Sequence, residues 1–186
     1  MSYTPPIDEK ELVKQLHSPA QAAAAFDVLI RKYGEKMYWQ IRKMVASHDD
    51  ANDILQNSFI KAWNNLQNFR GDAKLSTWLY KIAVNESINF LNKERQKRDV
   101  TDDADDSFLL NSIESDPYFD GDALKVELQK AIAKLPEKQR LVFNMRYFDE
   151  MKYEDISEIL GTSVGALKAS YHHAMKKIVE AISSIS

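Results

Sequence analysis

The chain has 186 residues, 44% of them apolar and 28% charged, with five glycines, five prolines and no cysteine. This composition excludes wholesale disorder, a disulfide framework, a thiolate metal site and a cysteine nucleophile. A net charge of −3 weighs against a nucleic-acid binder until its distribution along the chain is considered.

Scarce turn residues point to an all-α fold, and the length allows one large domain or two small ones. Residues 1–14 hold Asp8, Glu9 and Glu11 and lack the apolar core of a signal peptide. No apolar run approaches the roughly 20 residues of a membrane span. Together with the missing cysteines, these features lead us to expect a cytoplasmic protein.

The first helical pattern runs through Phe26, Leu29, Ile30, Tyr33, Met37, Ile41, Met44 and Val45, at steps of three and four residues. Ser47-His48-Asp49-Asp50 interrupts it, and the acidic pair suits the start of a second helix. Ile54, Leu55, Phe59, Ala62, Trp63 and Leu66 form the apolar stripe of that helix. Its other side carries Asp50, Asp53, Gln56, Asn57 and Lys61.

A loop, Asn68-Phe69-Arg70-Gly71-Asp72, precedes a third helix with Ser76 as the expected N-cap. Trp78, Leu79, Ile82, Ala83, Ile88, Phe90 and Leu91 give this helix a broad apolar surface. It also bears Lys81, Asn85, Asn89, Asn92, Lys93, Arg95, Lys97 and Arg98. Basic and amide groups interleaved with aromatics suit phosphates and unstacked bases. Three helices with short connections predict a compact bundle over residues 1–98.

Charge changes sharply along the chain. Residues 1–69 are neutral and residues 70–98 carry +4. Residues 99–122 hold nine acidic residues and no Lys or Arg, while residues 123–186 carry +2. Repulsion and weak periodicity predict that residues 99–122 form an extended, flexible linker, with Phe108, Leu109, Leu110, Ile113 and Phe119 able to dock locally.

Beyond it, Leu124, Leu128, Ala131, Ile132 and Leu135 mark a helix. Pro136 sits where the next one starts. Leu141, Val142, Met145 and Phe148 continue that helix to Asp149-Glu150-Met151. Ile156, Ile159 and Leu160, a turn at Gly161, the cap Ser163, then Val164 and Leu167 read as helix-turn-helix. Val164, Leu167, Tyr171, Ala174 and Ile178 face inward. Ser163, Gly165, Ala166, Lys168, Ala169, Ser170, His172, His173 and Lys176 are left for solvent or DNA.

Adjacent His172 and His173 point about 100° apart on a helix and do not share a metal ion. The sequence contains no phosphate loop and no nucleophile–base set. It therefore predicts no enzyme, no cofactor, no metal and no small-molecule substrate. On these residues alone, a free-standing helix-turn-helix regulator and a helical adaptor without DNA both stay open.

Three ordered segments carry a resemblance that decides among these alternatives. Phe69 to Asn85 resembles the promoter-melting segment of the bacterial extracytoplasmic-function (ECF) sigma factors, of the sigma-70 class. Asp50 to Trp63 is similar to their polymerase-docking helix. Leu135 to Phe143, together with the helix-turn-helix, is similar to their second DNA-binding domain.

The resemblance implies that residues 1–98 dock on core RNA polymerase through Asp50, Asp53, Gln56, Phe59 and Trp63. It implies that Phe69, Arg70, Lys74, Trp78, Lys81, Asn85, Arg95, Lys97 and Arg98 take the minus-ten promoter DNA. Residues 123–186 would read the minus-thirty-five element, and the acidic linker would thread through the polymerase. An anti-sigma partner, soluble or membrane-bound, is implied as well. Relatives often carry arginines in the recognition helix, where this chain has Ser170, His173 and Met175. That departure shifts the expected recognition towards phosphates and DNA shape.

Overall fold

The computed structural model describes residues 7–98, 107–117 and 121–185. Among these residues every regular element is helical. None of the described helices is long and apolar enough to cross a membrane.

The first element, α1 (Glu9–Leu16), was not anticipated from the sequence. Leu12 and Leu16, one turn apart, are its buried face. Helix α2 (Ala22–Val45) follows and ends at Ala46, in the left-handed region at φ 61°. Ser47 caps α3 (His48–Asn64), its hydroxyl oxygen accepting from the Asp50 amide at 3.4 Å. A short 3₁₀ turn (Leu66–Asn68) leads to α4 (Leu75–Lys97). Helices α2, α3 and α4 pack on one another as the expected bundle.

The N-cap of α4 is Lys74, not Ser76, and its side chain makes no cap. The Glu9 carboxylate satisfies the helix end instead, accepting from the Leu75 amide at 2.7 Å. A carboxylate there also complements the positive end of the helix dipole. Helix α1 thus fastens the start of α4 and the loop before it.

The acidic segment also differs from its expected extended form. Residues 107–114 form α5 (Ser107–Glu114), with Phe108, Leu109 and Ile113 buried. Burial of that apolar face outweighs the surrounding repulsion. Asp116 then pairs with Arg42 of α2, and both side chains are nearly inaccessible. Phe119 and residues 99–106 lie outside the described residues.

Helix α6 (Ala123–Ala133) is capped by Asp122, whose carboxylate accepts from the Lys125 amide at 3.1 Å. Helix α7 (Glu137–Phe143) starts after Pro136 and relaxes into a π-turn (Asn144–Phe148). Buried Arg140 donates to the Ala133 and Leu135 carbonyls at 3.2 and 3.3 Å, closing the end of α6 onto α7. Helices α8 (Tyr153–Leu160) and α9 (Val164–Ser183) flank Gly161, at φ 63°. The Ser163 hydroxyl accepts from the Ala166 amide at 3.3 Å, as its place in the sequence predicts.

The sequence reading sets residues 1–98 apart from residues 123–186. In the structure one buried cluster joins them, from Leu12 through Leu79, Leu109 and Val142 to Leu167. A smaller cluster of Ile132, Leu135, Phe143, Ala174 and Ile178 sits between α6, α7 and α9.

Candidate polymerase and promoter-DNA interface

Helix α3 presents Asp53 and Gln56 to solvent and Asp50 partly so. Phe59 and Trp63, one turn apart, take different roles. Phe59 is buried against Phe26, edge to face with ring centroids 6.2 Å apart. Trp63 also meets Phe26 edge-on, at 5.1 Å, yet keeps 41% of its surface exposed. Phe59 is therefore a core residue and is not presented at the surface, unlike its expected docking role.

Beside Trp63, Ile30 and Ile60 are 37% and 58% exposed. With Ala23 and Asp27 they rim a shallow apolar depression that the sequence reading did not single out. The signal was Ile60, an apolar residue off the stripe of its own helix.

Between α3, the 3₁₀ turn and α4 lies a groove of about 540 Å³. Trp78, Asn65, Asn68, Asn85 and Asn89 line it, with the Lys61–Glu86 ion pair at its edge. Phe69 is buried and lies ring to ring with Trp78, so the loop residue and the first turn of α4 form one aromatic support. Arg70, Lys81 and Asn85 are exposed around it.

The remaining cations are engaged. Lys74 reaches Asp155 of α8 at 3.4 Å. Lys97 and Arg98 share Glu94 at 2.9 and 3.9 Å, and Arg98 also lies over the Phe108 ring. Arg95, expected to hold phosphates, is only 6% exposed. It donates to Glu137 of α7 at 2.7 Å and to Asn92 at 3.1 Å. This departs from the expectation for Arg95, whose guanidinium is buried in an ion pair with a carboxylate of α7 and is not presented at the surface.

On α9 the described surface matches the pattern in the sequence. Ser163, Gly165, Ala166, Lys168, Ala169, His172, His173 and Lys176 are exposed, and Ser170 is half-buried. Leu167, Ala174 and Ile178 are buried. The Lys168 ammonium stands 5.8 Å from the Tyr153 ring centroid, close to the turn.

Residues 29–97 match the family Sigma-70 region 2, and residues 125–178 match Sigma-70, region 4. The RNA polymerase sigma-H factor of Pseudomonas aeruginosa is 34% identical over 85% of this chain and 86% of its own length. The ECF RNA polymerase sigma factor SigW of Bacillus subtilis is 32% identical over 91% of this chain and 94% of its own. The chain belongs to the ECF RNA polymerase sigma factors.

As a sigma factor it acts in transcription initiation, with core RNA polymerase and promoter DNA as its partners. Its fold is shared by CnrH, solved with the cytosolic domain of CnrY, at TM-score 0.72 and 21% identity over 96% of this sigma factor and 99% of that chain. It is also shared by the sigma factor RpoE of Bartonella quintana, solved with the anti-sigma factor NepR. There the TM-score is 0.66, with 20% identity over 85% of this sigma factor and 96% of that chain.

Proposed function

We propose that this sigma factor opens promoters through residues 1–98 and anchors upstream through residues 123–186. The carrying observation is the amide-lined groove at the start of α4. Trp78 offers a stacking face there, and Asn65, Asn68, Asn85 and Asn89 offer donors and acceptors to a base edge. Melting DNA costs stacking energy, and such a surface offsets that cost by holding the exposed strand.

The exposed patch of Trp63, Ile60 and Ile30, ringed by Asp53 and Gln56, is read as the polymerase dock. Helix α9 is read as the minus-thirty-five reader, working through Lys168, Lys176 and the helix N-terminus on phosphates. The chain itself does no chemistry, and it works in the cytoplasm, where the polymerase is. An anti-sigma factor is a further proposed partner, since the structurally similar RpoE of Bartonella quintana was solved with the anti-sigma factor NepR.

The test is run-off transcription with core polymerase over genomic fragments, with sequencing of the start sites. A shared pair of upstream elements among the transcripts is expected; the absence of any promoter-dependent transcript overturns the reading. Co-purification from the native cell addresses the anti-sigma partner, and recovery of polymerase subunits alone would count against it.

A further inference from the structure

The loop of residues 70–74, beside the amide-lined groove, is pinned at both ends. At one end the Phe69 amide donates to the Leu66 carbonyl at 3.1 Å, and the Phe69 ring packs on Trp78. At the other end the Leu75 amide donates to the Glu9 carboxylate at 2.7 Å. Leu75 is fully buried, and the Trp78 amide closes the first turn of α4 onto the Lys74 carbonyl at 3.1 Å. The hold at Leu75 therefore reaches the indole within one helical turn.

Glu9 is the first residue of α1 and is half-buried. Leu12 and Leu16 anchor α1 in the core, so the carboxylate approaches α4 from a fixed base. Burial pushes the Tyr33 hydroxyl of α2 up to about 12, and the Glu9 charge adds to that, which sets the carboxylate close to α2 as well as α4. Glu9 and the rest of α1 lie outside residues 29–97, the part that matches Sigma-70 region 2.

A helix start leaves its first amides without partners, and the Lys74 side chain caps nothing. Without the Glu9 acceptor, a part-buried donor would stand unpaired and the loop would gain freedom. A surface that must be ordered as it binds loses affinity by that ordering cost. The loss would fall on capture of the unpaired strand. The exposed face of α9 and the patch around Trp63 are built from other residues.

We propose that Glu9 is a positioning residue for strand opening: by holding the Leu75 amide it keeps the loop and the Trp78 face in the arrangement that receives the unpaired strand. This rests on the reading of the groove as the strand holder. Every group in this relay lies between residues 9 and 78, and none belongs to residues 123–186.

The test uses the full-length chain bound to core polymerase, on a promoter defined by the run-off screen. Three variants separate geometry from charge. Glu9→Gln keeps an oxygen within reach of the Leu75 amide and loses the charge. Glu9→Asp keeps the charge and withdraws the oxygens by one methylene. Glu9→Ala removes both; should it fail to fold, Glu9→Asp carries the test. Permanganate reactivity of promoter thymines reads opening, gel shift at low temperature reads the closed complex, and a pull-down titration reads core affinity.

Glu9→Ala and Glu9→Asp should lower the open fraction on the order of fivefold, the factor for a lost helix cap. Closed-complex formation and core affinity should stay at the wild-type level, and Glu9→Gln should keep most of the opening. Wild-type opening by all three variants overturns the proposal. So does an equal loss in opening, closed complex and core affinity, which would make Glu9 a merely structural residue. Retained opening by Glu9→Asp with loss by Glu9→Gln overturns it too, because charge and not the hydrogen bond would then matter. Trp78→Ala is run alongside. If it opens promoters like the wild type, the strand-holding reading fails and the role of Glu9 with it. If Trp78→Ala is defective while the Glu9 variants are not, only the positioning role fails.

Discussion

Phe69 and Trp78 lie with ring centroids 4.9 Å apart and planes tilted by 35°. Phe69 is buried and Trp78 half-buried, so the loop residue props the indole at the mouth of the amide groove. Trp78→Ala should therefore impair strand opening more than initial binding. Permanganate reactivity of promoter thymines reports the first, and gel shift at low temperature reports the second. Truncating a buried aromatic can cost about 3–5 kcal/mol of stability, so retained folding must be checked by circular dichroism. Equal losses in the two assays would contradict the assignment.

Ile60 offers a cleaner probe of the docking face than Phe59. It is exposed and touches the patch around Trp63. Ile60→Asp should change stability by less than about 1 kcal/mol, as surface substitutions do. Loss of an apolar anchor and entry of a charge should weaken core-polymerase binding on the order of tenfold or more. Unchanged affinity in a pull-down titration would move the dock elsewhere.

Lys168 sits one turn into α9 on its exposed side. Lys168→Ala should weaken duplex binding by a similar factor on every upstream sequence, because a phosphate contact carries no base identity. The salt slope should fall by about 0.9. A loss confined to one upstream sequence would instead assign Lys168 to base readout.

Asp149 gives a pH signature. Burial pushes its carboxyl above the usual carboxylate range, and the nearby Lys43 and Lys36 ammoniums only partly offset this. A folded-state pKa above the unfolded one means that the fold holds the proton more tightly. Ionised Asp149 thus subtracts stability at neutral pH, and that loss is relieved as pH falls towards its raised pKa. The wild type should gain thermal stability relative to Asp149→Asn between pH 7 and pH 5. A wild type that loses stability relative to Asp149→Asn as pH falls would contradict the assignment.

Much of the fold is legible in local pattern. Spacings of three and four placed α2, α3, α4, α6 and α9, and Gly161 and Ser163 marked the turn and cap between α8 and α9. What escaped depends on distant partners. Nothing near Leu75 reveals that Glu9 caps its helix from 66 residues away. Phe59 and Trp63 look equivalent in sequence and both meet Phe26, yet only Phe59 is buried once α3 packs in the bundle. Arg95 reads as one more cation in a basic helix end until Glu137 is seen beside it. On α9 the exposed set was readable because its buried stripe, Leu167, Ala174 and Ile178, is local to that helix.

The cluster that runs from Leu12 to Leu167 couples the stability of the two matched regions. A large-to-small change at Ile156 of α8 leaves a cavity in the same core that holds Leu79 of α4, at a cost of about 2–5 kcal/mol. A lesion in one half is therefore felt by the other, and one cooperative transition is expected on heating.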